Sequence, residues 1–301
     1  MSVLSAGLTA TAVEYGDDLL DRCWLWGHET GQVDGPTNDR EKNWGLDAPK
    51  AYYHMADAAR DMGLHNLNVI RWDLPDRTFR DSLRGLKRLT WPVSAHPSER
   101  HSTYAELGDY DFRVLDEMPN VVGFELDDYF QAANTNLVFA DTPNGRKPTC
   151  PAVFPYADLK ALRLRAQGHP RKPELRLVVY DELFDQRKDP RDLVPTIDLA
   201  DTVTYWVWQA KSMPRMEECF RRYRALAPGK PTFLGVYLWD FGGRREMPLD
   251  LLKLQLGKGL ALWHRREIEG FVFLCSSICN RNLPAVAYAR AWIREHGAEQ
   301  Q

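Results

Sequence analysis

The chain reads as a (β/α)8 barrel, and three observations carry that reading: its length, an unbroken alternation of strand-like and helix-like segments, and a count of eight such units. At 301 residues it is long enough for one large core, because barrels of this type take about 250 residues. Runs rich in β-branched and aromatic residues alternate with segments at helical spacing from end to end, the pattern of a parallel sheet covered by helices. A doubly wound open sheet has the same alternation; the count of eight favours closure.

Taken in order, the first strand-like run is Cys23 to Trp26, followed by a helix predicted over Ala48 to Met62. Leu67 to Trp72 and the helical Thr78 to Leu86 form the second unit, and Leu89 to Ser94 with Tyr110 to Met118 the third. Val121 to Asp127 leads into Ala157 to Ala166, and Leu175 to Tyr180 into Leu193 to Leu199. Thr202 to Trp208 precedes the amphipathic Met216 to Leu226, and the Pro228-Gly-Lys-Pro231 turn launches Thr232 to Trp239 before the helix Leu249 to Arg265. Gly270 to Leu274 and Leu283 to Glu295 complete the set. Two connections are long, 30–44 and 131–156, and both follow strand C-termini, the face on which such barrels build their sites. No repeat, low-complexity tract or composition shift marks a linker, so a single domain over 1–301 is expected.

The 44% hydrophobic and 27% charged fractions are those of a globular chain, and no apolar run approaches the roughly 18 residues of a membrane span. A formal net charge of −3 leaves no basic excess to neutralise phosphates, so nucleic acid is not an expected partner. Residues Met1 to Glu14 lack the positive start and long apolar stretch of a secretory signal, which predicts a cytoplasmic location. The five cysteines, at 23, 150, 219, 275 and 279, have no paired metal-ligand spacing and read as small apolar packing residues. Gly-x-Ser-x-Gly, phosphate-loop and dinucleotide signatures are absent, and Asp240-Phe-Gly-Gly243 reads as a turn; no organic cofactor and no metal is expected.

The densest chemical signal is Gly123-Phe-Glu125-Leu-Asp127-Asp128-Tyr-Phe130. Strand alternation places Glu125 and Asp127 on one face as the strand ends. Like charges so close cannot all ionise freely, so one acid keeps its proton to higher pH, as general-acid catalysis requires. The alternative is structural: Asp128 capping the next segment and Glu125 paired inside the barrel with Arg71 or Arg176. Other strand ends repeat the chemistry with His28 and Glu29, Asp73, Asp181 and Glu182, and Asp240, any of which could instead cap a helix. Aromatic residues share the placement: Trp26, Trp72, Tyr180, Trp206, Trp208, Tyr237 and Trp239. A tryptophan face suits the apolar C–H face of a sugar ring while neighbouring acids bind hydroxyls. Core filling is the competing use, and Trp26, Trp206 and Trp239 are the expected exposed platforms.

The Glu125-Leu-Asp-Asp128 run and the Gly235-Val-Tyr-Leu-Trp-Asp240 stretch resemble glycoside hydrolases of the (β/α)8 type, and the region from Leu234 through Gly270 to Cys279 also resembles bacterial hydrolase-like proteins. The resemblance implies an acid/base and a nucleophile at the ends of strands four and seven, here Asp127 or Glu125 and Asp240. The chain departs from that pattern in three ways. It lacks the Asn-Glu pair at strand four, ends strand seven in Asp where those enzymes carry Glu, and has Glu-x-Asp in place of the Asp-x-Asp-x-Glu run of chitinase-like barrels. The leading expectation is a glycosidase acting on an oligosaccharide or glycoside, with Asp127 as acid and Asp240 or Glu182 as second carboxylate. A metal-dependent sugar isomerase or epimerase and a non-catalytic saccharide-binding barrel are the alternatives; only His28 lies near a strand end to serve a metal.

Overall fold

The computed structural model of the protein describes residues 13–31, 44–47, 49, 51–70, 76–93, 104–130, 156–185 and 189–301. Eight parallel strands close into a barrel: β1 (Cys23–His28), β2 (Asn66–Ile70), β3 (Arg88–Pro92), β4 (Val121–Leu126), β5 (Glu174–Tyr180), β6 (Thr202–Trp206), β7 (Thr232–Tyr237) and β8 (Gly270–Leu274). Each strand pairs with its sequence neighbour, and β8 returns to β1. The expected (β/α)8 architecture is therefore the observed one. A two-stranded antiparallel hairpin, Trp239–Asp240 with Arg245–Glu246, follows β7. Most of the two long connections, and with them Trp72 and Asp73, lies outside the described residues.

The outer layer comprises α1 (Met55–Met62), α2 (Arg77–Ser82), α3 (Tyr104–Glu117), α4 (Tyr156–Gly168), α5 (Glu182–Asp185), α6 (Val194–Leu199), α7 (Met216–Leu226), α8 (Leu249–His264) and α9 (Pro284–His296). The helix predicted from Ala48 starts at Met55, because His54 holds extended backbone and its Nδ1 accepts from Ala56 N at 3.1 Å, capping the helix there. Gly63, at φ 74°, closes the same helix in the left-handed conformation that glycine adopts without strain. Outward strand residues join helices to barrel: Tyr205 packs against Phe220 and Tyr223 at 5.3 and 5.4 Å between ring centroids, and Phe271 lies 5.0 Å from Trp292. Among the described residues no helix is long and apolar enough to cross a membrane. Cys23, Cys219, Cys275 and Cys279 are buried, as expected of packing residues; Cys150 is outside the described set.

The barrel interior is unusually polar at its N-terminal end. Arg176, 1% exposed, lies over Trp24 at 4.1 Å, donates to Glu174 at 3.1 Å and to the Tyr15 hydroxyl at 2.6 Å. Arg88 grips Asp21 with two bonds of 2.9 Å. Burial works against the Asp21 charge, but the Arg88 hydrogen bond and its companions from Gly16 and Lys87 hold this carboxyl below the usual carboxylate range. Buried charges persist because each has a partner. Above this layer the filling turns aromatic: Trp26 meets Trp206 edge-on across the barrel at 5.4 Å, and Trp206 lies 4.8 Å from Tyr237.

Room for Trp206 comes from the neighbouring strand. Tyr205 pairs with Leu234, so Trp206 falls one step further along, beside Gly235, and a Cβ at 235 would sit 2.1 Å from the indole ring. Gly235→Ala is expected to overpack this layer and cost about 1–3 kcal/mol, read as a lower midpoint in urea at unchanged slope; an unshifted midpoint would show that the indole repacks freely.

Candidate active site

Strand β4 delivers three acids at increasing height along the barrel axis. Glu125 is fully buried at mid-height and accepts from Asn68 Nδ2 at 2.8 Å and Thr90 Oγ1 at 3.2 Å, both on its Oε2. Its Oε1 is buried without a hydrogen-bond partner. Burial, partly opposed by the Arg176 charge, pushes this carboxyl up to about 7. The ion pair with Arg176, the structural alternative for Glu125, does not form, since that guanidinium turns towards Glu174 and Tyr15; Arg71 lies outside the described residues.

Asp127 and Asp128 stand where β4 has just ended, on the C-terminal face. Asp127 is half-buried and Asp128 exposed, Asp128 holding a left-handed φ of 47° that turns its side chain away from the strand's alternation. Surrounding protein raises the Asp127 carboxyl well above the ordinary range, and the neighbouring Asp128 and Glu125 charges raise it further. Asp128 is raised as well, by the surrounding protein, and the Tyr180 hydroxyl, which donates to its Oδ1 at 2.5 Å, opposes part of that rise. Burial and then the Asp128 charge push the Tyr180 and Tyr237 phenols up, so both keep their protons. The result is two adjacent acids with unequal support: the hydroxyl stabilises charge on Asp128, and the proton stays on Asp127.

An aromatic rim continues from this pair. Tyr180 meets Trp208 at 6.0 Å, Tyr237 meets Trp208 at 5.8 Å, and Trp208 meets Trp44 edge-on at 5.8 Å. Trp44 also contacts Phe241 at 5.9 Å, and its carbonyl accepts from Trp239 Nε1 at 2.9 Å. Trp44 and Trp208 are half-buried, with part of each surface accessible. Of the predicted platforms, three are corrected: Trp26 and Trp206 are 1% exposed and Trp239 7%, because closure stacks the first two inside the barrel and the third is held against the Trp44 backbone.

The other predicted residues divide in the same way. Asp240 is 2% exposed and its carboxylate is fully engaged, accepting from Ala210 N at 3.3 Å, Gly243 N at 2.9 Å and Arg245 Nε at 3.1 Å. These bonds make it the anchor of the hairpin. Asp181, 4% exposed, accepts from Trp208 N at 3.1 Å and fastens the tip of β5 to that of β6. Glu182 is half-buried, raised first by burial and then by Asp181, with Lys211 opposing. His28 is buried at the end of β1, where its carbonyl accepts from Ser276 Oγ at 2.5 Å, and Glu29 accepts from the Tyr52 hydroxyl at 2.8 Å. Trp44 is the rim residue that strand spacing missed: it ends a long loop, and nothing local says which strand that loop will reach. Among the described residues no three His, Cys, Asp or Glu side chains are grouped so as to hold a metal ion.

No protein-family model matches the chain, and no curated protein matches it. Among solved structures it is similar to an α-L-fucosidase-like protein of Bacteroides thetaiotaomicron VPI-5482, with TM-score 0.55 and 9% identity over 96% of this chain and 99% of that one. It is also similar to a GH18 chitinase of Pseudoalteromonas aurantia, with TM-score 0.54 and 11% identity over 90% and 98% of the two chains. A GH2 β-galacturonidase of Eisenbergiella tayi aligns with TM-score 0.48 and 12% identity over 82% of this chain, which spans only 47% of that protein. At these identities the likeness shows a shared barrel, one that glycoside hydrolases use.

The Glu125 geometry has a consequence for stability. Burial pushes its folded carboxyl up to about 7 from an ordinary value of 4.5, so the native state holds the proton more tightly than the unfolded chain. That contribution is fully present below about pH 4.5 and is lost as pH rises through 7, about 3 kcal/mol over that window. Glu125→Gln is expected to remove that share of the pH dependence in urea titrations between pH 4.5 and 7; an unaltered slope would show that Glu125 does not titrate there.

Proposed function

We propose that this chain is a glycoside hydrolase in which Asp127 is the general acid and Asp128 the carboxylate that faces the developing positive charge. The observation that carries the reading is the unequal acid pair at the tip of β4, with Tyr180 donating to one member only and the Trp208–Trp44 rim beside it. The similarity to barrels of glycoside hydrolases adds the support of a shared scaffold.

A sugar ring laid against the rim would cover the mouth above Asp127, excluding water and raising that acid further. The Asp127 proton passes to the glycosidic oxygen as the bond to the anomeric carbon breaks, and the leaving sugar departs neutral. Charge on the anomeric carbon is stabilised by the Asp128 anion, which the Tyr180 hydrogen bond supports. Water then completes the hydrolysis, giving its proton to whichever carboxylate lies on its side of the ring. Glu182, on the next strand tip, is the second candidate for that last step. Glu125 lies beneath Asp127 and raises its proton affinity.

A panel of aryl glycosides and oligosaccharides, assayed with and without a chelator, tests the proposal. Asp127→Asn is expected to lower kcat by about a thousandfold with little change in KM, and the chelator to have no effect. Trp208→Ala should leave kcat near the wild-type value and raise KM about tenfold, the loss of one stacking contact. Full activity in Asp127→Asn sinks the acid assignment. Turnover abolished by the chelator would overturn the metal-free carboxylate mechanism, silence across the panel would favour a metal-dependent sugar isomerase, and saccharide binding without turnover a binding protein.

A further inference from the structure

The hairpin after β7 carries a feature that hydrolysis of a neutral sugar does not require. Arg245 is bonded through Nε to the buried Asp240 carboxylate at 3.1 Å, yet its side chain is 60% exposed. Its terminal nitrogens make no bond among the described residues. The Nε bond tethers the guanidinium at one end and leaves the two terminal nitrogens for a ligand, the fork that pairs with a carboxylate or a sulfate. Arg244, the preceding residue, is also exposed and has a left-handed φ of 53°.

This hairpin adjoins the rim described above. A Cβ on Gly45 would lie 2.5 Å from the Arg244 carbonyl oxygen, so the residue after Trp44 is packed backbone to backbone against the hairpin turn. A Cβ on Gly242 would lie 2.9 Å from the Trp208 carbonyl oxygen, so the same turn touches the second rim tryptophan. The contacts run from Asp128 through Tyr180, Trp208 and Trp44 to the turn that carries the two arginines.

We infer that Arg245, oriented by Asp240 and seconded by Arg244, is a binding site for an anionic substituent, carboxylate or sulfate, on the saccharide held by the Trp44–Trp208 rim. The inference rests on the saccharide reading of this face and names its substrate class. It also gives Asp240 a task, that of a positioning residue for Arg245.

Calorimetry on the intact chain tests it without requiring turnover. Trigalacturonate is compared with its methyl ester, which keeps the sugars and removes the charge, and a sulfated disaccharide with its desulfated form. Wild type is expected to bind the charged member of at least one pair tenfold or more tightly, with the preference shrinking as salt is added. Preference in either pair supports the inference and identifies the anion. Arg245→Gln should bring the ratio close to one, Arg245→Lys to an intermediate value because charge is kept and the fork lost, and Asp240→Asn should reduce it in a variant whose circular dichroism confirms folding. Equal affinity within both pairs, absence of binding, or a preference that survives in Arg245→Gln overturns it. Failure of the hydrolase reading shows separately, as no turnover with the charge preference intact.

Discussion

Strand β1 is hydrogen-bonded to β2 on one side and to β8 on the other, from Cys23 opposite Phe271 to Trp26 opposite Leu274. That last ladder removes the sheet's edges and turns one face of all eight strands into a closed tube. Every inward side chain must then find its partners inside the tube. The bottom is closed by paired charges, Arg88 with Asp21 and Arg176 with Glu174, under the ring of Tyr15. The middle is closed by indoles, and a glycine on β7 makes space for one of them.

The three acids of β4 acquire different characters from this vertical order. Glu125 lies among uncharged polar groups at mid-height and is raised by burial; Asp127 and Asp128 emerge at the mouth, where a tyrosine hydroxyl distinguishes them. One short stretch of strand thus holds acids of unequal proton affinity, and the inequality comes from neighbours on β2, β3 and β5. Asp240 shows the opposite outcome. It ends a strand-like run as the others do, yet two backbone amides and an arginine occupy its oxygens and make it a structural anchor.

Much of the architecture was legible in local pattern. The eight strand-like runs correspond to the eight strands within a few residues, since period-two alternation and turn chemistry act over neighbours in the chain. The crowding of Glu125, Asp127 and Asp128 at a strand tip was legible for the same reason. The exposure of the tryptophans was not: Trp26, Trp206 and Trp239 follow the same inward alternation as a mouth-lining residue would, and all three are covered. Trp44 and Arg245 were equally hidden, one at the end of a loop and the other in a two-residue strand.

The sequence by itself determined the order of strands and helices, the side of the sheet on which each strand residue falls, and the clustering of acids at the end of β4, because these are set by covalent neighbours and the pleat. Tertiary structure alone decided how high in the barrel each inward residue sits, which strand stands opposite it, and so whether an indole is core or rim and a carboxylate anchor or acid. Those outcomes depend on register and closure, which bring together residues as distant as Trp44 and Trp239, and no local pattern encodes a distance across the tube.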